Sequence, residues 1–67
     1  MQRHFVNSTR IRSAGWENNV MELQFCDGAI YQYLNVSHDE YLRFLNSPSL
    51  GRELAILEKF HPYVRVF

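Results

Sequence analysis

The stretch Met21–Leu34, MELQFCDGAIYQYL, constrains the fold more than any other part of the sequence. Apolar Met21, Leu23 and Phe25 alternate with polar Glu22 and Gln24, and Ala29 to Leu34 resumes the same period of two after Cys26-Asp27-Gly28. Such a pattern predicts a β-hairpin. Asp27-Gly28 supplies the turn, because glycine reaches positive φ without a Cβ clash and aspartate can bond its own backbone two residues on. Met21, Leu23 and Phe25 then share one face, which a helix or a second sheet must cover.

Upstream, residues 1–9 end in small polar Asn7-Ser8-Thr9 and read as a loop or a bend into the sheet. From Arg10 to Trp16 a weak alternation puts Ile11, Ser13 and Gly15 on one side and Arg10, Arg12, Ala14 and Trp16 on the other. Glu17-Asn18-Asn19 is a turn by composition, since asparagine tolerates the left-handed region. The expected sheet is therefore a three-stranded antiparallel meander.

Downstream, Ser37-His38-Asp39-Glu40 places a serine three residues before a glutamate, ahead of Tyr41, Phe44 and Leu45 at helical spacing. This is a capping box, with both acids in the first turn where the helix dipole favours them. The helix should stop near Asn46. Ser47-Pro48-Ser49-Leu50-Gly51-Arg52 restarts the chain with proline at a first-turn position. Leu50, Leu54 and Leu57, with Ile56 and Phe60 beside them, make a broad apolar face, and Pro62 ends the helix. Tyr63 to Phe67 alternates again, as a short strand on the sheet edge or on a neighbouring subunit. The predicted architecture is α+β: a three-stranded antiparallel β-meander followed by two α-helices packed on one face, with a short C-terminal strand.

A chain of 67 residues makes one domain and buries only about 60% of its unfolded surface. Five Phe, four Tyr and one Trp compensate, each burying roughly 150–250 Å². The lone Cys26 excludes a disulfide within the chain, and zinc-like ligand spacing is absent. Seven basic and seven acidic residues balance to zero, so affinity for a long polyanion is not written into the whole chain. No apolar run approaches the ~20 residues of a membrane span, and Met1-Gln2-Arg3-His4 is not followed by a signal-peptide core. A cytoplasmic setting is expected.

Ser47, Ser49, Gly51 and Arg52 at the start of the second helix form the most suggestive constellation. Free amides, hydroxyls, a glycine that permits close approach and a guanidinium are what a phosphate or carboxylate needs there. Ordinary helix capping explains the same residues. Ser8, Thr9 and Arg10 add to the site if the fold brings them near; alone they are a polar strand entrance. Tyr31 and Tyr33 share a strand face and can either stack on a nucleobase or pack beneath a helix. Arg12 and Trp16 fall on one side of the first strand as a potential cation–aromatic surface, or as packing. Catalysis has little support: Cys26 sits beside Asp27 in a turn, no histidine has a second ligand at i+4, and Asp39 and Glu40 point different ways around a helix.

The sequence also resembles the KTSC domain, a family found at the C-terminus of some lysyl-tRNA synthetases and as stand-alone bacterial and phage proteins. Val6 to Ile11 resembles the family's V-x-S-S-x-I, and Leu23 to Tyr33 its L-x-[VF]-x-x-G-x-x-Y-x-Y hairpin. Tyr41 and Phe44 match Y-x-x-[FL], and Ser49-Leu50-Gly51 matches S-x-G. Val36-Ser37 replaces a frequent V-P, Thr9 a serine, and Arg52-Glu53-Leu54 stands where an aromatic pair and asparagine are often found. The resemblance implies a compact α+β module without established catalytic activity, and the synthetase association suggests nucleic acid.

These readings lead to a non-catalytic, cofactor-free binding protein for a phosphate-bearing small nucleotide, for instance one that sequesters a nucleotide signal. Ser47, Ser49, Gly51 and Arg52 would cradle the anion, Arg10 and Arg12 add charge, and Tyr31 or Tyr33 stack on the base. Two alternatives stand beside it: an RNA- or tRNA-contacting accessory module, and a protein-interaction or self-assembly module. A homodimer is the expected assembly under all three, since 46% hydrophobic side chains are hard to hide in one small subunit.

Overall fold

The computed structural model describes all residues, 1–67. Its elements are β1 (Arg3–Phe5), β2 (Ile11–Glu17), β3 (Val20–Phe25), β4 (Ile30–Tyr33), α1 (His38–Leu45), α2 (Leu50–Phe60) and β5 (Tyr63–Arg65). The strands form one antiparallel sheet in sequence order, and both helices lie in the connection between β4 and β5. The class is the α+β expected, but the sheet has five strands rather than three. β1 falls in residues read as a loop, because three residues are too few to show a period of two. The C-terminal run does join the sheet, beside β4, with Val64 opposite Gln32.

Two turns bear out the local chemistry of the sequence. Asn18 and Asn19 both have positive φ, 51° and 64°, as a tight two-residue hairpin between β2 and β3 requires. Gly28 has φ 96°, and the Asp27 carboxylate accepts from the Ala29 amide at 3.0 Å.

The β2 register corrects the predicted alternation. Ile11 lies opposite Phe25 and Ser13 opposite Gln24, so Arg12 is the extra residue of a β-bulge. The bulge turns Ile11 onto the same face as Ala14 and Trp16, and Arg12 away from it. Arg12 stacks instead on the Phe5 ring, 5.8 Å from its centroid, so no Arg12–Trp16 surface exists.

Ile11, Ala14, Met21, Leu23 and Tyr33 make the buried floor under the helices. Tyr41 and Phe44 of α1 and Leu50, Leu54 and Leu57 of α2 close it. The apolar face of α2 is narrower than predicted, since Ile56 and Phe60 are exposed. Trp16 closes one end, its indole N–H donating to the Val36 carbonyl at 2.8 Å and its ring lying 4.7 Å from that of His38.

The opposite face of the sheet carries a polar row. Arg3, Gly15, Glu22 and Gln32 are successive cross-strand neighbours. Arg3 reaches across Gly15 to one Glu22 oxygen at 2.6 Å, and Gln32 donates to the other at 2.9 Å. A Cβ on Gly15 would collide with the Gln2 carbonyl, so glycine is what allows this close crossing.

Candidate functional site

α1 and α2 begin alike, with a serine at the N-cap, and then diverge. At α1, Ser37 Oγ accepts from the Glu40 amide while Glu40 accepts from the Ser37 amide, both at 3.1 Å. The same carboxylate meets His61 Nε2 at 2.8 Å, and His61 Nδ1 faces the Leu34 carbonyl at 3.1 Å. The Ser37 amide, and after it His61, holds the Glu40 carboxyl below the usual carboxylate range. The Ser37 and Glu40 amides are thus bonded within the chain, while the His38 and Asp39 amides between them find no acceptor.

At α2, Ser49 is the N-cap and Pro48 precedes it, outside the helix rather than in its first turn. Ser49 Oγ accepts from the Arg52 amide at 3.4 Å, but Arg52 stands where the capping glutamate of α1 stands and cannot return the bond. The Leu50 and Gly51 amides find no acceptor in the chain, as is also true of the first two amides of α1. Two donors and a positive dipole end are left facing outward.

They face a cleft of about 880 Å³ between the β1–β2 connection and the start of α2. Ser8, Thr9 and Arg10 line one wall and Ser47, Ser49, Gly51 and Arg52 the other, with Asn7 beside them and no acidic residue. The fold thus brings together the two polar segments that are nearly forty residues apart in sequence. Neither Arg10 nor Arg52 is in an ion pair, and the Arg10 side chain lies 4.0 Å from where a Gly51 Cβ would stand. A Cβ there would make only ordinary van der Waals contact, so the guanidinium's approach does not depend on glycine.

The hydroxyls divide by what they already do. Ser8 Oγ accepts from the Arg10 and Ile11 amides at 3.3 Å, and Ser49 Oγ accepts from Arg52, so each keeps its own hydrogen for an anion. Ser47 differs. Its hydroxyl donates to the Phe44 carbonyl at 2.9 Å and lies 3.2 Å from that of Ser49, fastening the link between the helices. Of these three serines it is the one whose hydroxyl hydrogen is already committed.

Tyr31, Tyr33 and Arg12 lie elsewhere. Tyr33 has no exposed surface, and its hydroxyl donates to Glu58 at 2.9 Å. Burial, reinforced by Glu58, raises the Tyr33 hydroxyl far above its ordinary range. It is a core residue and offers no face to a base. Tyr31 is half-buried and lines a second cleft of about 430 Å³ together with Phe25, Tyr63, Asp27, Glu58 and Arg65. Arg10 borders this cleft too. Sequence reasoning missed Glu58, Tyr63 and Arg65 here, because only the return of the chain through α2 and β5 sets them beside the hairpin. No group of three His, Cys, Asp or Glu side chains is placed to hold a metal ion, and no helix is long and apolar enough to cross a membrane.

Fold and cleft together define a small α+β domain, a meander under two helices with an arginine-flanked groove at the second helix start. The model of the KTSC domain family matches residues 7–54, most of the chain, and the protein belongs to that family. It is similar to a KTSC domain protein from Yersinia pestis known from its crystal structure, with a TM-score of 0.91 and 30% identity over 98% of this chain and 97% of that one. No curated protein matches it.

Proposed function

We propose that the protein binds a small phosphate-bearing nucleotide, without transforming it, in the cleft between Ser8–Arg10 and Ser49–Arg52. One observation carries this reading: two arginines without acidic partners, two hydroxyl groups with free hydrogens and two unbonded helix-start amides converge on one acid-free cleft. Charge-assisted bonds from guanidinium groups and backbone amides are what a phosphate monoester accepts. A neutral chain with a few concentrated charges suits one or two phosphates better than a long polyanion. Sequestration of a nucleotide signal is a use that such binding permits.

The test is a thermal-shift series with mononucleotides, pyrophosphate and a short RNA at low and physiological salt. A ligand at 100 times its Kd adds about 2.7 kcal/mol, which is many degrees for a domain this small. Stabilisation by mononucleotides and pyrophosphate that survives salt and is lost in Arg52→Ala and Arg10→Ala supports the reading. Stabilisation by RNA alone, fading with salt, transfers it to an RNA-contacting module.

Self-association is a second reading, favoured by the free edge of the sheet. β5 is the last strand, and Val64, Val66 and Phe67 along it are half-exposed or more. Pairing of two such edges would continue the sheet and cover these side chains. Light scattering that returned one subunit's mass at millimolar protein would remove it.

A further inference from the structure

The second cleft has the chemistry of a base-binding subsite. Its walls are aromatic: Tyr31 meets Phe25 edge-on, with centroids 5.5 Å apart, and Tyr63 on its other side at 6.1 Å. Its charged groups are the Arg10 and Arg65 guanidiniums at its border and two carboxylates, each with one oxygen uncommitted. Glu58 Oε2 accepts from Tyr33 and Asp27 Oδ1 from the Ala29 amide, while the other oxygen of each has no partner, and neither carboxylate is in an ion pair. At about 430 Å³ the cleft has room for a fused-ring heterocycle.

Arg10 borders both clefts. A ligand whose phosphate reaches Arg10 from the α2 side therefore meets a residue that also borders the Tyr31 cleft. We propose that the Tyr31–Tyr63 cleft takes the base of the nucleotide whose phosphate lies in the Arg10–Arg52 cleft, and that the base is guanine; this rests on the phosphate-binding reading above. The choice of base follows from the acceptors. A carboxylate accepts two parallel N–H bonds, here with its already bonded oxygen using its second lone pair, and guanine alone presents a ring N–H and an exocyclic amine side by side. Adenine and cytosine set an acceptor nitrogen beside their amine, and uracil sets carbonyls on both sides of its N–H, each opposing an acceptor to an acceptor.

Calorimetric titration with GMP, AMP, guanosine and pyrophosphate, against the wild type, Glu58→Gln and Tyr63→Ala, separates the two readings. Glu58→Gln still accepts from Tyr33 but sets an amide N–H against the base, and Tyr63 lies at the sheet edge, so both variants should fold. The expected result is GMP binding at least tenfold tighter than AMP, a tenfold or larger loss of GMP affinity in both variants, and unchanged pyrophosphate binding. Equal affinity for GMP and AMP, or GMP affinity insensitive to both variants while pyrophosphate binds, overturns the base subsite and leaves the phosphate cleft standing. Guanosine binding as tightly as GMP, with no response to pyrophosphate, keeps the subsite and overturns the phosphate cleft. If none of the four binds, both readings fall.

Discussion

The two helix starts of this protein use one device to opposite ends. Each has a serine N-cap bonding the third amide of its helix, yet the residue supplying that amide is Glu40 in α1 and Arg52 in α2. Glutamate returns the bond to the cap amide, neutralises the dipole end and ties the helix to His61. Arginine can do none of these, so the Ser49 amide stays unbonded where that of Ser37 is bonded, and a positive charge is added at an already positive end. Such an arrangement costs a few tenths of a kcal/mol in helix stability, which an incoming anion would recover. One start sets a carboxylate against its dipole, the other a guanidinium.

The comparison extends first to what the helices bury, and there the largest effect is expected. Phe44 of α1 has no exposed surface, whereas Phe60 at the end of α2 is 75% exposed. Phe44→Ala should cost about 3–5 kcal/mol, enough to unfold a domain of this size, and Phe60→Ala should stay within about 0.5 kcal/mol. Urea denaturation of both variants measures this. Comparable losses would mean that Phe60 is covered in solution, as self-association through the β5 end of the molecule would do.

The next effect converts one helix start into the other. Arg52→Glu gives α2 the serine–glutamate pair of α1, so the melting temperature should hold or rise slightly. Pyrophosphate affinity should fall at least a hundredfold, about 2.7 kcal/mol, because a favourable charge is replaced by a repulsive one. A variant that kept its affinity would show that the open start of α2 is not where the anion binds.

A smaller effect separates the serines themselves. Ser37→Ala removes a reciprocal cap and should cost about 1 kcal/mol, whereas Ser49→Ala removes a single long bond and should cost roughly half as much. Equal costs, measured by chemical denaturation, would show that the reciprocal bond from Glu40 adds nothing to its helix.

Sequence made the α1 cap legible because all of its parts lie within four residues, and the same is true of the Asn18-Asn19 and Asp27-Gly28 turns. It made the residues of the cleft at the start of α2 legible one segment at a time. That Ser8–Arg10 faces Ser49–Arg52 was not legible, since the juxtaposition depends on how β1, β2 and α2 pack. The Arg12 bulge was hidden for a different reason: one unpaired residue reverses the facing of everything before it, and the alternation of β2 is too weak to reveal the slip. Tyr31 and Tyr33 share a face as read, but only the path of α2 leaves Tyr31 half-buried and Tyr33 with no exposed surface, its hydroxyl bonded to Glu58. The His61–Glu40 contact joins residues twenty-one apart, across the whole of α2, with no local signature.

That last contact gives the smallest expected effect and a test of the α1 start. The Glu40 carboxyl is held below its ordinary range by the Ser37 amide and His61. A carboxyl depressed in the folded state contributes stability that is fully present above the unfolded value, about 4.3, and is lost as pH falls through the lower folded value. Glu40→Gln retains an acceptor for the Ser37 amide but carries no charge, so it should be less stable than the wild type at pH 6 by a fraction of a kcal/mol. The difference should close as the medium is taken below pH 4, where the wild-type carboxyl becomes neutral as well. Melting curves of both proteins across pH 3–6 follow this convergence. A gap that stayed constant with pH would assign the loss to altered packing at the cap, and the charge of Glu40 would then have no part in holding α1 to the end of α2.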